Sequence, residues 1–410
     1  MKRSRPIVCL AWSIRDVQLY KSLLSDSEVI IVCARLSSWL YAKFSLVSCV
    51  AFFMPFWKYR KKKSWNNRNM DLISDYDLRF YNNTCISSVD LWAMETYLAE
   101  KLKGTPLKLL LLPGEFRLRE QAMIRQLGNT NKTVFWEAGP PGSIYFSPYG
   151  TNANAKLELT YKGRGVPQML EEKNTQCIAA INHKIRPWDK LFLGVDYIYL
   201  LILKLLSYLE FDELLPAKQK LKMPRNVHQH FNRSECEGKS LVIFYGQVEE
   251  DVNQSHFGIT EIQLKGFLDE TGLAGDKYQV LLKTHPRQQV NKTNTFLSET
   301  IQSLCFYSDQ VSRTFEYFDK VYHVTINSNV ALELLLQGNN VTILGRSIYS
   351  NLAGVSQSLN YKETCPEVIK NGAESFVKAM FLSIDYRNRK FLKLQRFSKF
   401  LEALTEKSND

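Results

Sequence analysis

Short apolar runs, each closed by Gly, Pro or polar residues and followed by helical spacing, recur along this chain. They constrain its fold more than any other feature. PIVCLAW (6–12) and EVIIVCA (28–34) read as strands, and LKLLLL (107–112) as a buried strand stopped by Pro113-Gly114. EQAMIRQLGN then has helical spacing with a Gly stop, and KTVFWEAGPPG is strand then loop. A second series opens at SLVIFYGQ (240–247) and runs through the strands YQVLLKTHP and KVYHVTINS, the helical NVALELLLQG and the strand NNVTILG. Strand–helix–strand order is that of an α/β domain. With 410 residues the chain exceeds one ordinary core. The expected architecture is two Rossmann-like domains facing a central cleft, with ligands at the carboxyl ends of strands. The expected boundaries are an N-terminal acceptor domain over 1–215, a polar and basic linker over 216–239, a C-terminal donor domain over 240–385 and a terminal helix over 386–410.

Two apolar stretches could suggest a membrane. WLYAKFSLVSCVAFFMPFW (39–57) has the length of a span, but Lys43 interrupts it, Pro55 sits near its end, and KYRKKK (58–63) follows. It reads either as a helix lying in the interface with its cations on anionic headgroups, or as a core helix with a solvated basic loop after it. Residues 191–215 carry Asp196, Lys204, Glu210, Asp212 and Glu213, which fits a long helix packed between lobes better than a span. The short apolar run after the charged N-terminus reads as a first strand, not a signal peptide.

The net charge of +12 favours an anionic partner: nucleic acid, anionic lipid or a phosphorylated donor. Its basic residues concentrate in 58–63 and 217–225 without a recognisable binding module, which speaks against nucleic acid. The eight cysteines have irregular spacings and no CxxC pair, the pattern of free thiols in a reducing compartment rather than of a zinc site. The DxD match at 75–77 is of a kind that arises by chance, and no metal ligand set is expected.

The chemistry-bearing residues fall at strand ends. In LLKTHPR, Lys283, His285 and Arg287 lie within five residues, and Pro286 fixes the backbone and ends strand pairing. An anion is the expected partner, with the imidazole N–H hydrogen-bonding a leaving phosphate. In TINSNVALELLLQG, Asn327, Ser328 and Asn329 lead from a strand into a helix, whose N-terminus is a second expected phosphate site. Ser328 is either a cap or a ligand. Glu333 is either a surface charge or a group for ribose hydroxyls. After SLVIFYGQ come Glu249, Glu250 and Asp251, either a solvated acidic turn or carboxylates poised as nucleophile and base. Glu137 stands at a strand end before a loop in which Gly139, Gly142 and Gly150 permit close backbone approach. It is either a general acid/base or a capping carboxylate.

In order and content these segments resemble the capsule polysaccharide biosynthesis/export proteins, a family that includes β-Kdo transferases. The segments are PGEFRLREQAMIRQLG, WEAGPPGSIYFSPYGTNANA, GQVEED, KTHPR and TINSNVALELLLQGNNVTILGRSIYSNLAG, together spanning about 105–360. The resemblance implies a GT-B-like glycosyltransferase that moves Kdo from CMP-β-Kdo to a lipid- or saccharide-linked acceptor, with retention, through a covalent sugar–enzyme adduct. By motif position it implies Asp251 as nucleophile, Glu137 as acid/base and His285 on the phosphate. Gln247, Glu249, Lys283, Pro286, Arg287, Asn327, Ser328, Asn329 and Glu333 would line the donor side, and Glu115, Arg117, Gly139 and Asn152 the acceptor side. No cofactor or metal is implied, and the place of work is the inner face of the cytoplasmic membrane. Glu115, Arg117 and Glu120 stand where the family commonly has Asp and His, so the acceptor can differ from the usual one. Two other expectations stay open: a CMP-sialic acid-dependent sialyltransferase, and a non-catalytic polysaccharide export component.

Overall fold

The computed structural model describes residues 5–45, 49–53, 84–127, 132–139, 143–155, 178–182, 187, 190–192, 194–196, 198, 231, 233–248, 256–285, 292–301, 304–306, 311–383, 390–393 and 397–405. The chain divides into two compact units, Met1–Leu215 with Ala379–Asp410, and Pro216–Lys378.

The first unit is built on a sheet of seven strands: β1 (Ile7–Ala11), β2 (Val29–Cys33), β3 (Cys49–Phe53), β4 (Leu109–Leu112), β5 (Thr133–Ala138), β6 (Ser143–Ser147) and β14 (Leu382–Ser383). Their spatial order is β14-β6-β5-β4-β1-β2-β3, with β1 to β5 parallel and β6 antiparallel to both of its neighbours, β5 and β14. Every residue of β1, β2 and β4 is buried, which is why these strands read as unbroken apolar runs rather than as alternating ones. Helices α1 (Ile14–Leu23), α2 (Leu36–Ser45), α3 (Thr84–Leu102) and α4 (Leu118–Leu127) connect them. Ser13 and Asp16 start α1 with a reciprocal capping box. One face of the sheet packs Val8, Leu10, Val32, Leu110 and Leu112 against Met94, Leu98 and Met123.

The second unit holds β8 (Ser240–Tyr245), β9 (Tyr278–Lys283), β10 (Leu304–Phe306), β11 (Lys320–Thr325), β12 (Val341–Ile343) and β13 (Val355–Ser356). Their order is β10-β9-β8-β11-β12-β13, all parallel. Helices α5 (Glu261–Thr271), α6 (Lys292–Thr300), α7 (Val330–Leu336) and α8 (Pro366–Met380) accompany them. In both sheets the first strand is central, the next two step off to one side and the fourth lies on the other. Each sheet therefore has a Rossmann-type switch point, between β1 and β4 in the first and between β8 and β11 in the second.

Two expectations need correction. The run 39–57 is not one helix: its described residues split between α2 and β3, and β3 joins the sheet beside β2. An unbroken apolar run cannot tell a buried strand from a helix by periodicity. Among the described residues no helix is long and apolar enough to cross a membrane. The tail expected to be helical from 386 holds β15 (Lys390–Lys393), antiparallel to β7 (Ile178–Asn182), before α9 (Phe397–Thr405). Phe397 and Phe400 of α9 pack edge-on against Phe146, and Lys108 pairs with Glu402 at 2.6 Å, so the tail belongs to the first unit. The segment read as a linker, 216–239, is described at 231 and 233–239 only.

Candidate active site

In the second unit the candidate residues collect at the carboxyl ends of β8, β9 and β11. The chain leaves β8 through Gly246 and Gln247, and Gly246 N–H donates to the Lys283 carbonyl at the end of β9 (2.9 Å). A Cβ at Gly246 would lie 3.1 Å from Asn294 Oδ1, so a larger residue would crowd this junction. Gln247 Nε2 donates to Oδ1 of the buried Asn327, just past β11, at 2.8 Å. That bond spans the switch point. Exposed Lys283 sets its ammonium 5.6 Å from the centre of the Tyr245 ring, and half-buried His285 follows two residues on. The Tyr245 hydroxyl lies 3.0 Å from His323 Nδ1. Burial, and then the Lys283 charge, lower the His323 pKa to about 4, so this ring is neutral near pH 7. Cationic character at this end therefore comes from Lys283 rather than from His323.

Past Asn327 the half-buried Ser328 accepts the Val330 N–H at 3.3 Å, and its carbonyl accepts the Tyr349 hydroxyl. Asn329 occupies the cap position without a side-chain capping bond, and Glu333 lies half-buried in the first turn of α7. α7 has only seven residues, so its dipole is short, and the Ser328 hydroxyl engages the N–H of its first residue from just before the cap. Glu249, Asp251, Pro286 and Arg287 lie outside the described residues, as do Glu250 and the basic run 58–63.

In the first unit the candidates gather past β4 and β5. Glu137, at the end of β5, receives on Oε2 the Tyr145 hydroxyl from paired strand β6 and the Asn152 N–H (3.1 Å). Asn152 N–H also reaches the Tyr145 oxygen at 2.6 Å. Asn152 has φ +46°, a conformation that Asn tolerates better than other side chains. Buried Glu115, after β4, accepts from Asn154 Nδ2 (2.8 Å) and Thr151 N–H (3.4 Å). Burial is the main cause that pushes its carboxyl up to about 7, with Glu120 and Glu137 adding like-charge repulsion. Gly150 has φ +135°, and a Cβ there would sit 2.2 Å from Glu115 Oε2, so glycine is required on both counts. Gly139 is needed for space alone: a Cβ would lie 2.2 Å from the Phe381 ring. Arg117 is exposed, with its guanidinium 4.9 Å from the centre of the Trp12 ring.

The sequence singles out Glu115, Glu137 and Asn152, and the structure sets both carboxylates on the turn 151–154, Glu115 on Thr151 and Asn154 and Glu137 on Asn152. It does not single out Tyr145 or Asn154. Tyr145 stands in an apolar strand where its ring serves packing as well as its hydroxyl serves Glu137. Pairing of β6 with β5, which sets it opposite Glu137, is the only signal that finds it.

Comparison with known proteins bears on the second unit most. The family model described as "Capsule polysaccharide biosynthesis protein" matches residues 195–387. No curated protein matches the chain. Among solved structures, Thermosulfurimonas dismutans KpsC, beta Kdo 2,7 transferase, is similar with 13% identity over 98% of each chain and a TM-score of 0.41. The beta Kdo 2,4 transferase of the same KpsC matches at 13% identity over 73% of this chain and 88% of that one, with a TM-score of 0.32. S. aureus MnaA with UDP matches at 11% identity over 94% of each chain, with a TM-score of 0.28. Through residues 195–387 the chain carries the sequence pattern of the capsule polysaccharide biosynthesis proteins, the family its motifs resemble.

Proposed function

We propose that the chain is a glycosyltransferase of capsule or surface polysaccharide biosynthesis, moving Kdo from CMP-β-Kdo to a lipid- or saccharide-linked acceptor. One observation carries this reading. The stretch that matches the capsule family contains Gln247 and Asn327, bonded across the switch point of the second sheet, and Lys283 and His285 at the end of the next strand, β9; α/β folds take nucleotide-type ligands at such strand ends. Lys283 and His285 take the phosphate charge of CMP as it departs, without a metal. Asp251 attacks the anomeric carbon as the bond to the CMP phosphate oxygen breaks, giving a covalent sugar–enzyme adduct and CMP. Glu137 then takes the proton of an acceptor hydroxyl, whose oxygen attacks the same carbon and releases Asp251. Two displacements restore the starting configuration. Tyr145 and Asn152 N–H hold the Glu137 carboxylate in one orientation for that proton transfer.

The same reading sets the protein on the inner face of the cytoplasmic membrane. Exposed Phe44 on α2, beside Lys43, supports it, as do exposed Leu191 and Ile198 in the segment whose Phe192 stacks on Phe44.

The deciding experiment is CMP release by the purified protein from CMP-Kdo and CMP-sialic acid, with and without acceptor lipids. Release from CMP-Kdo, lost in Asp251→Ala, is expected. Release from CMP-sialic acid alone would replace the donor. Release from neither, with acceptors present, would turn the reading to a polysaccharide-binding export component.

A further inference from the structure

A second cluster lies at the switch point of the first sheet, where two guanidinium groups stack on one tryptophan and a third arginine feels their charge. Trp12 directly follows β1, Arg35 follows β2, and Arg117 and Arg119 follow β4. In the sheet these strands are neighbours in the order β4-β1-β2, so all four residues sit at the carboxyl ends of adjacent parallel strands. The guanidinium carbons of Arg117 and Arg119 lie 4.9 and 5.0 Å from the centre of the Trp12 ring. Arg35 has its pKa lowered by its own burial first; Asp196 then raises it, and the charges of Arg119 and Arg117 lower it, so it lies near both. Arg119 and Trp12 are buried, Arg35 is half-buried and Arg117 is exposed, so the cluster runs from the interior to solvent.

Three carboxylates accompany these cations: Asp196 and Asp16 act on Arg35, Arg117 acts on Glu120, and all three also accept hydrogen bonds from other donors. Asp16 accepts the N–H groups of Trp12 (2.8 Å) and Ser13 (2.9 Å). Asp196 accepts the Ser37 N–H (2.8 Å) and hydroxyl. Glu120 accepts Trp12 Nε1 (3.0 Å) and the N–H groups of Phe116 (2.9 Å) and Arg117 (3.0 Å), and burial raises its pKa, which weakens it as a counter-ion. Convergent guanidiniums repel one another, and burial adds to the cost. Stacking on an indole engages the faces of a guanidinium and leaves its donors in the plane, in a fork that matches the two oxygens of a carboxylate or phosphate. An oxyanion bound among the three would relieve the repulsion through charge-assisted hydrogen bonds.

We propose that Arg117 and Arg119 on Trp12, with Arg35 at the end of the neighbouring strand β2, form a binding site for an oxyanion, the carboxylate or phosphate group of the acceptor. The identification of that anion as the acceptor's rests on the transferase reading above; the site itself does not. The sequence alone gives no role to Arg35, Arg119 or Trp12.

The test is calorimetric titration of the full chain, without donor, with inorganic phosphate, glycerol 3-phosphate and free Kdo. At least one is expected to saturate, and Arg117→Gln and Arg35→Gln are each expected to weaken it roughly tenfold. Arg117 is exposed, so Arg117→Gln should melt with the wild type and keep the test readable even where Arg35→Gln does not fold. Saturation by the two phosphates alone points to a phospholipid-type headgroup, and saturation by Kdo alone to a saccharide carboxylate. No saturation by any probe up to ~10 mM overturns the proposal, and so does binding that Arg117→Gln leaves unchanged. A chain that binds these anions through the arginines but releases no CMP would refute the transferase reading and leave the site standing. One that releases CMP without arginine-dependent binding would do the reverse.

Discussion

Gln247 and Asn327 join through a single side-chain hydrogen bond of 2.8 Å, and it ties together the ends of the two strands that flank the switch point of the second sheet. The two residues are eighty positions apart in sequence, so the bond reports tertiary structure rather than a local turn. It also fixes Asn327 just before α7, with β8 between its strand and β9, the strand that presents Lys283.

Asn327→Leu removes the acceptor of that bond at a buried position and should destabilise the second unit by roughly 1 kcal/mol or more, read as an earlier melting transition. Asn327→Asp keeps an acceptor for Gln247 and adds a negative charge where the donor phosphate is proposed to bind. Its expected effect is a drop of at least roughly tenfold in kcat/KM for the CMP-sugar, carried by KM. Unchanged donor kinetics in Asn327→Asp would remove the phosphate from this strand end.

Tyr145→Phe probes Glu137 without adding charge. The phenol is buried, and its burial followed by the Glu137 charge drives its pKa well above the ordinary tyrosine value, so it stays a donor throughout the working range. A carboxylate that loses a donor becomes easier to protonate. Glu115 also faces this pair and repels its negative charge, which acts in the same direction. If Glu137 is the base, the acidic limb of the pH profile of kcat should move up by roughly one unit in Tyr145→Phe. Identical limbs in the two proteins would show that Tyr145 serves packing alone.

Glu115 should leave a mark on stability rather than on rate. Its carboxyl is held at about 7 in the folded chain, against an ordinary 4.5. Between these values the folded state binds more protons than the unfolded one. Stability is therefore greatest below pH ~4.5 and falls as pH rises toward ~7, by about 3 kcal/mol for this group. Glu115→Gln keeps an acceptor for Asn154 and Thr151 and has no proton to lose. Thermal melts at about pH 5 and about pH 8 should show a steeper loss in the wild type than in Glu115→Gln. Parallel losses would mean that the carboxyl titrates in its usual range.

The parallel strands at the heart of the two sheets were legible because they are buried on both faces. Ile7–Ala11, Val29–Cys33, Leu109–Leu112 and Ser240–Tyr245 sit inside apolar runs of the right length, with loops at their ends. The cluster past β4 and β5 was legible as Glu115, Glu137 and Asn152 because charged or amide residues stand out after such runs. What the sequence concealed depends on pairing between distant segments. Leu382–Ser383 is too short to read as a strand, and it becomes one only by pairing with β6. Trp12, Arg35 and Arg119 look like ordinary residues beside three separate strands, and only the order β4-β1-β2 brings them together. The same applies to β3, whose sequence is as apolar as a helix of the same composition and is assigned by its partner β2.

The membrane reading makes a demand on one side chain. Phe44 is 78% exposed on α2, stacked at 6.0 Å on Phe192, and Leu191 and Ile198 are 56% and 62% exposed. Apolar side chains held in water at this level are a cost that a lipid surface removes, by about 2 kcal/mol for a fully inserted Phe. Lys43 beside Phe44 suits anionic headgroups. Phe44→Asp should therefore weaken co-sedimentation with vesicles containing anionic phospholipid by roughly tenfold or more, without lowering the melting temperature. Its effect should persist at high salt, because burial of apolar surface is not screened. Neutralising the lysines and arginine of 58–63 should act mainly at low salt, since the attraction of exposed cations to headgroups fades as the Debye length shortens. If Phe44→Asp binds vesicles as the wild type does, and the loss in the 58–63 variant is screened by salt, attraction is electrostatic alone and α2 does not enter the lipid.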